Sequence, residues 1–162
     1  MAHRLILING LPGSGKSTLA GRLAPALRVP LIAEDSLEQA LAAAAPGVPP
    51  SALGVAAARL MWELAAATPG VVVLESWWFR PRDLGFATEG VARSGARAVV
   101  EIWCSVPPEL AYARSRAPSG DWHLWSAGAA PLGIGPVITV ATDRPVMASP
   151  LIEAISQSIG GV

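Results

Sequence analysis

Charge is scarce in this sequence. Only 15% of its 162 residues are Asp, Glu, Lys or Arg, and 12 basic residues balance 12 acidic ones to a formal net charge of zero. An average soluble domain carries about 25%. Without a positive field nothing draws in a polyanion, so nucleic acid and anionic membrane are not expected as partners. Cysteine is scarcer still. Cys104 stands alone, which excludes an intrachain disulfide and a cysteine-based zinc site and fits a reducing compartment. No secretory signal is legible, because the apolar run Leu5 to Ile8 is shorter than an h-region and leads straight into Asn9-Gly10. The uncharged stretches Gln39 to Ala58 and Trp122 to Thr142 are broken by Pro46, Pro49, Pro50, Pro131 and Pro136, too often for a membrane span. A soluble, cytoplasmic protein is expected. Lysine, finally, occurs once: of the 12 basic residues, all but Lys16 are arginine.

What is abundant is apolar material, 52% of the chain, enough for one compact domain spanning residues 1–162. Apolar runs of strand length recur at Arg4–Ile8, Val29–Ala33, Gly70–Glu75, Ala98–Cys104 and Pro136–Ala141. They lack polar alternation, as strands covered on both faces do. Segments of helical character separate them: Lys16–Leu27, Ser36–Ala45, Ser51–Ala67, about Asp83 to Arg93, Pro107 to about Ala117, and about Pro150 to Ser158. Strand and helix in alternation predict an α/β fold of three layers around a parallel sheet. Pro118 to Pro136 is expected to be irregular, a lid over about residues 114–130.

Gly10-Leu11-Pro12-Gly13-Ser14-Gly15-Lys16-Ser17, with Thr18 next to it, fits the pattern G-x-x-x-x-G-K-[ST], with an apolar strand before it and a helix pattern, beginning near Lys16, after it. Glycines let the backbone fold round phosphate oxygens with N–H groups inward, and the helix start adds its positive dipole end. Lys16 is expected at the β- and γ-phosphates of ATP and Ser17 at Mg²⁺. A compact ammonium fits between two phosphates where a planar guanidinium does not.

Ligands of such sheets lie beyond the carboxyl ends of the strands. Two acid positions fall there. Asp35, after the second strand, is either an acid serving the start of the next helix or the base that takes a proton from an acceptor hydroxyl; Glu34 and Glu38 are weaker candidates. Glu75 closes Val71-Val72-Val73-Leu74 as the acid of a Walker B strand, holding Mg²⁺ directly or through water, or simply begins a loop. Ser76-Trp77-Trp78-Phe79-Arg80-Pro81-Arg82 follows. Three adjacent aromatics cannot all face one core, so Trp77 or Trp78 is expected to line a substrate pocket, with Arg80 or Arg82 on a polar or anionic part of the substrate. The alternative buries the rings under a helix and leaves the arginines in solvent. In the lid, Arg114 and Arg116 are candidates for stabilising the transferring phosphoryl group, and Arg144, in Thr142-Asp143-Arg144-Pro145, for flanking the adenine.

These motifs together resemble the small P-loop kinases of the nucleoside-kinase-like group, and within it the chloramphenicol-phosphotransferase-like and zeta-toxin-like phosphotransferases. The likeness rests on Gly10–Thr18, on Asp35-Ser36-Leu37, on the acid strand end at Glu75, and on the lid arginines. It implies a five-stranded parallel sheet in the order 2-3-1-4-5, MgATP as donor, and a small hydroxyl compound, antibiotic or metabolite, as acceptor. It also implies Asp35 as the group that activates that hydroxyl. A monomer or homodimer is expected. The rival readings are an ATPase or nucleotide switch acting with a protein partner, and a nucleic-acid end kinase.

Overall fold

A computed structural model describes residues 3–115 and 120–161. Five strands, β1 (Arg4–Asn9), β2 (Leu31–Ala33), β3 (Val71–Glu75), β4 (Ala98–Ser105) and β5 (Val137–Ala141), form one sheet in the order β2-β3-β1-β4-β5. Every pairing is parallel. The expected class and strand order are therefore met. Among the described residues the helices are α1 (Lys16–Leu27), α2 (Glu34–Ala44), α3 (Pro50–Ala67), α4 (Arg80–Ser94), α5 (Pro108–Arg114), α6 (Trp122–Gly128) and α7 (Ala148–Ile159).

The central strand β1 is buried on both faces, and its side chains divide by parity. Ile6 and Ile8 join Leu19 and Leu23 of α1 and Leu151, Ile155 and Ile159 of α7 in one core layer. Leu5 and Leu7 join Met61, Trp62 and Ala65 of α3 and Ala87 of α4 in the other. A strand sandwiched in this way has no polar face, which is why its sequence shows no alternation. A third, smaller cluster gathers Leu11, Ala111 and Trp122, with Trp77 and Trp125 packed against it, at the carboxyl edge of the sheet.

Several element boundaries differ from expectation, and three differences bear on the site. Helix α2 starts at Glu34, two residues early, so both Glu34 and Asp35 occupy its first turn, where acids oppose the helix dipole favourably. Helix α4 starts at Arg80, with Pro81 in its first turn and the backbone N–H of Phe79 donating to Asp83 Oδ2 at 2.8 Å. The expected irregular excursion after α5 contains a helix, α6, whose Trp122 is buried and packs edge-on against Tyr112 at 5.3 Å. Aromatic packing orders a segment that local propensity left open. No helix among the described residues is long and apolar enough to cross a membrane.

Candidate active site

The loop between β1 and α1 is shaped by close approach. At Gly13, φ is +81° and a Cβ would fall 2.1 Å from the carbonyl oxygen of Ala111; at Gly10 it would fall 2.6 Å from Ser14 Oγ and 2.8 Å from the carbonyl oxygen of Cys104. Only glycine fits where backbone meets backbone so closely. Gly15, at φ 89°, precedes α1 and supplies no side-chain cap, so the first N–H groups of the helix remain available to an anion. Across the loop, Thr142 Oγ1 donates to the carbonyl oxygen of Ser14, and Arg114 Nη1 donates to the carbonyl oxygen of Thr142 at 3.3 Å. The start of β5's exit loop, the phosphate-type loop and the end of α5 are thus tied together.

Lys16 is almost fully buried, with Nζ donating to the carbonyl oxygen of Leu11 at 3.2 Å. Burial pulls its pKa below the usual lysine value, while Glu75, Cys104 and Asp35 push the other way. Glu75 is buried as well, and desolvation raises its pKa; the Lys16 ammonium opposes this, Asp35 adds to it, and a hydrogen bond with Ser17 opposes it. Register explains the convergence. Glu75 pairs with Ile8 in β1 and with Ala33 in β2, one strand end away from the loop and from the turn bearing Asp35. Behind the loop, Cys104 is buried, and its thiol is pushed up to about 12 by desolvation against the opposing pull of Lys16, which leaves it a packing residue.

A cleft of about 1230 Å³ opens at this carboxyl edge, and Pro12, Gly13, Gly15, Lys16, Ser17 and Thr18 form its floor. Asp35, Glu75, Trp77, Arg114 and Arg144 also line it. Gly10, Leu11 and Ser14 lie behind that floor, where Ser14 and Leu11 are buried. Arg116 lies outside the described residues. The expected substrate residues separate. Trp77 reaches the cleft, within 6.0–6.5 Å of Phe79, Trp103 and Trp125 by ring centroid.

Trp78, Arg80 and Arg82 are not brought to the cleft. Trp78 is buried in the core against Trp62, centroids 6.2 Å apart. Arg80 Nη1 donates to the carbonyl oxygens of Pro131 and Leu132, pinning the approach to β5. Arg82 is bidentate to Asp83 at 2.7 and 2.8 Å beside a separate shallow hollow. The physical reason is the early start of α4, which turns Arg80 and Arg82 onto the helix surface. Glu34 accepts a hydrogen bond from Ser76 Oγ, and burial raises its pKa, so it braces α2 against the end of β3.

Sequence reasoning passed over several residues that build this edge. Arg22 and Trp125 line the cleft. Asn9 links the loop to the wall: its Oδ1 accepts from the N–H groups of Gly10 (2.8 Å) and Trp78 (3.1 Å), and its Nδ2 donates to the Trp78 carbonyl oxygen (3.2 Å) and to Glu101 (3.0 Å). Glu101, buried inside β4, also accepts from the N–H groups of Leu132 and Gly133, both at 2.9 Å. An acid inside an apolar strand, two residues before Trp103, was the available signal.

The glycine cradle, the uncapped helix start and the buried ammonium fit the phosphates of a nucleotide, and the Ser17–Glu75 pair supplies hard oxygen donors suited to Mg²⁺. A five-stranded parallel sheet in this order with this loop defines a P-loop NTPase fold of three α/β/α layers. The chain belongs to the AAA domain family, whose model matches residues 5–121. No curated protein matches the sequence significantly. Among solved structures, a Chloroflexus aurantiacus protein shares 21% identity at a TM-score of 0.80, covering 98% of this chain and 99% of its own. A shikimate kinase from Aquifex aeolicus shares 19% at 0.63, covering 98% and 99%. A gluconokinase from Sinorhizobium meliloti shares 19% at 0.62, covering 98% and 91%. At these identities the likeness is one of fold.

Proposed function

We propose that this protein is an ATP-dependent kinase that transfers the γ-phosphoryl group to a hydroxyl of a small molecule. The observation that carries the reading is the convergence of Lys16, Ser17, Glu75 and Asp35 on one cleft. The kinases named among its structural neighbours share the fold and support it. Gly13, Gly15 and the first turn of α1 would hold the phosphates, with Lys16 bridging the β- and γ-groups. Ser17 and Glu75 would hold Mg²⁺, which supplies charge neutralisation on the phosphates when bound. Asp35, exposed at the cleft, would accept the proton as the acceptor oxygen bonds to the γ-phosphorus and the bond to the β-phosphate oxygen breaks, leaving ADP; the proton then passes to solvent. Arg114 and Arg144, on the opposite side, would meet phosphoryl charge and the nucleoside.

Asp35→Asn separates this from a simple nucleotide switch. Transfer should fall by about 10²–10⁴-fold, while MgATP affinity, read by calorimetry, stays within a few-fold. Transfer surviving within a few-fold would refute the base assignment. The acceptor itself is sought by an ATP-consumption screen over hydroxylated metabolites and antibiotics, with product mass locating the phosphate.

A further inference from the structure

The backbone of β1 leaves its partner β3 at Asn9, and a side chain continues the pairing. The β1–β3 ladder closes with Ile8 opposite Glu75 and with the Ser76 N–H donating to the Ile8 carbonyl oxygen at 3.3 Å. From there the Asn9 amide acts as the next peptide of a strand would: Oδ1 accepts from the Trp78 N–H at 3.1 Å, and Nδ2 donates to the Trp78 carbonyl oxygen at 3.2 Å. The same Oδ1 accepts from the Gly10 N–H at 2.8 Å. One oxygen thus joins the first residue of the phosphate-type loop to the segment that carries Trp77 into the cleft.

The amide is fixed in direction. Asn9 is fully buried, with two N–H donors at Oδ1 and two acceptors at Nδ2, the Trp78 carbonyl oxygen and Glu101, so a flipped amide would set like against like at all four contacts. Glu101 is held in turn by the N–H groups of Leu132 and Gly133. Burying such a network costs desolvation that an apolar side chain at residue 9 would avoid, so packing alone does not call for it. On the loop side, Lys16 Nζ donates to the carbonyl oxygen of Leu11, next to Gly10. A phosphate that draws the ammonium away therefore alters the loop one residue from the bond that Asn9 makes.

We infer that Asn9 is a positioning residue: its amide holds the phosphate-type loop and residues 76–79 as one unit, so that nucleotide in the loop moves the Trp77 segment with it. Asn9 itself does not line the cleft. The consequence for phosphoryl transfer rests on the kinase reading of that cleft, whereas the coupling rests on nucleotide binding alone.

The test titrates ADP in EDTA into the full chain carrying isotope-labelled tryptophan, followed by nuclear magnetic resonance. Metal is left out so that Glu75 is not engaged directly. Trp78 packs in the core and does not line the cleft, so its indole N–H resonance reports transmission and not contact with ADP. In wild type that resonance should move in step with ADP binding measured by calorimetry. In Asn9→Ala it should stay still, while ADP affinity changes by less than about fivefold, the scale of one neutral hydrogen bond. Should Asn9→Ala not fold, Asn9→Asp, equal in size, turns a second oxygen toward Glu101 and the Trp78 carbonyl oxygen and should lose the movement in the same way. With an acceptor that the chain phosphorylates, either variant should lose about 10- to 100-fold in kcat with KM for MgATP within about fivefold. A Trp78 resonance unmoved in wild type at saturating ADP, movement that persists in the variants, or a loss of ADP affinity as large as the loss of kcat overturns the inference. A chain that shows the coupling and phosphorylates no alcohol loses the kinase reading and keeps this one.

Discussion

Replacing Glu101 by glutamine changes one oxygen to an amide nitrogen in a buried network, and its cost can be worked from the contacts. Oε1 accepts from Asn9 Nδ2 at 3.0 Å and from the Leu132 N–H at 2.9 Å, and Oε2 accepts from the Gly133 N–H at 2.9 Å. All three partners donate, so a carboxylate suits them and an amide does not. The best placement of glutamine keeps its oxygen on the first two donors, which then bond a neutral instead of a charged acceptor. Its NH₂ must face the Gly133 N–H, which loses its bond. Charge-assisted bonds contribute about 1.5–3 kcal/mol and neutral ones about 1, with a further 1–3 for an orphaned buried donor. Because the Gly133 bond is only partly buried, the lower end applies there, about 2.5 kcal/mol for the lost bond and its orphaned donor; the two weakened bonds add about 0.5–2 kcal/mol each, for a total of about 3.5–6.5 kcal/mol. For a chain of this size that lowers Tm by roughly 7–26 °C. Urea unfolding followed by circular dichroism measures it. A loss below about 1 kcal/mol would show that the three donors are satisfied by water as readily as by the carboxylate, and that Glu101 does not hold the β5 approach to β1.

Two further outcomes follow from the same geometry. Gly13→Ala meets both a positive φ and a carbonyl oxygen 2.1 Å from the new Cβ, so the loop must shift by more than an ångström; MgATP affinity should fall at least tenfold with the fold retained by circular dichroism, and wild-type affinity would contradict the cradle. Glu75 gives a pH signature. Burial raises its folded pKa above the ordinary carboxylate value, so its contribution to stability is present at low pH and is lost as pH rises through the folded pKa. The stability difference between wild type and Glu75→Gln, measured by urea unfolding in EDTA from pH 4.5 upward, should therefore fall with rising pH. A difference that grows with pH would reverse the assigned cause.

How much of this was legible in sequence differs from residue to residue. The loop from Gly10 to Ser17 could be read directly, since its function needs a local run of glycines between one strand and one helix, and local steric rules dictate where such a run can sit. The order of the sheet was not in the strand patterns themselves; it came with the resemblance. The acids at Asp35 and Glu75 were found because strand ends are legible and ligands gather beyond them. Trp78, Arg80 and Arg82 were not separable from Trp77 by sequence. Which side chain faces the cleft there depends on where α4 begins, and a shift of three residues turns each one about its axis. That start is governed by Asp83 capping Phe79 and by Trp78 packing on Trp62.

The sequence by itself determined the class of this protein, an apolar three-layer α/β chain with one phosphate-type loop holding its single lysine, because periodicity, composition and glycine spacing are local properties. Only the tertiary structure decided the character of the second half of the cleft. Asp35 and Glu75, the arginines Arg22, Arg114 and Arg144, and Trp77 beside Trp125 line one cleft and come from six separate stretches of chain. Their meeting depends on parallel register across β2, β3 and β1 and on α6 folding back over the edge. Part of the scarce charge noted in the sequence is thus gathered, in three dimensions, around one cleft.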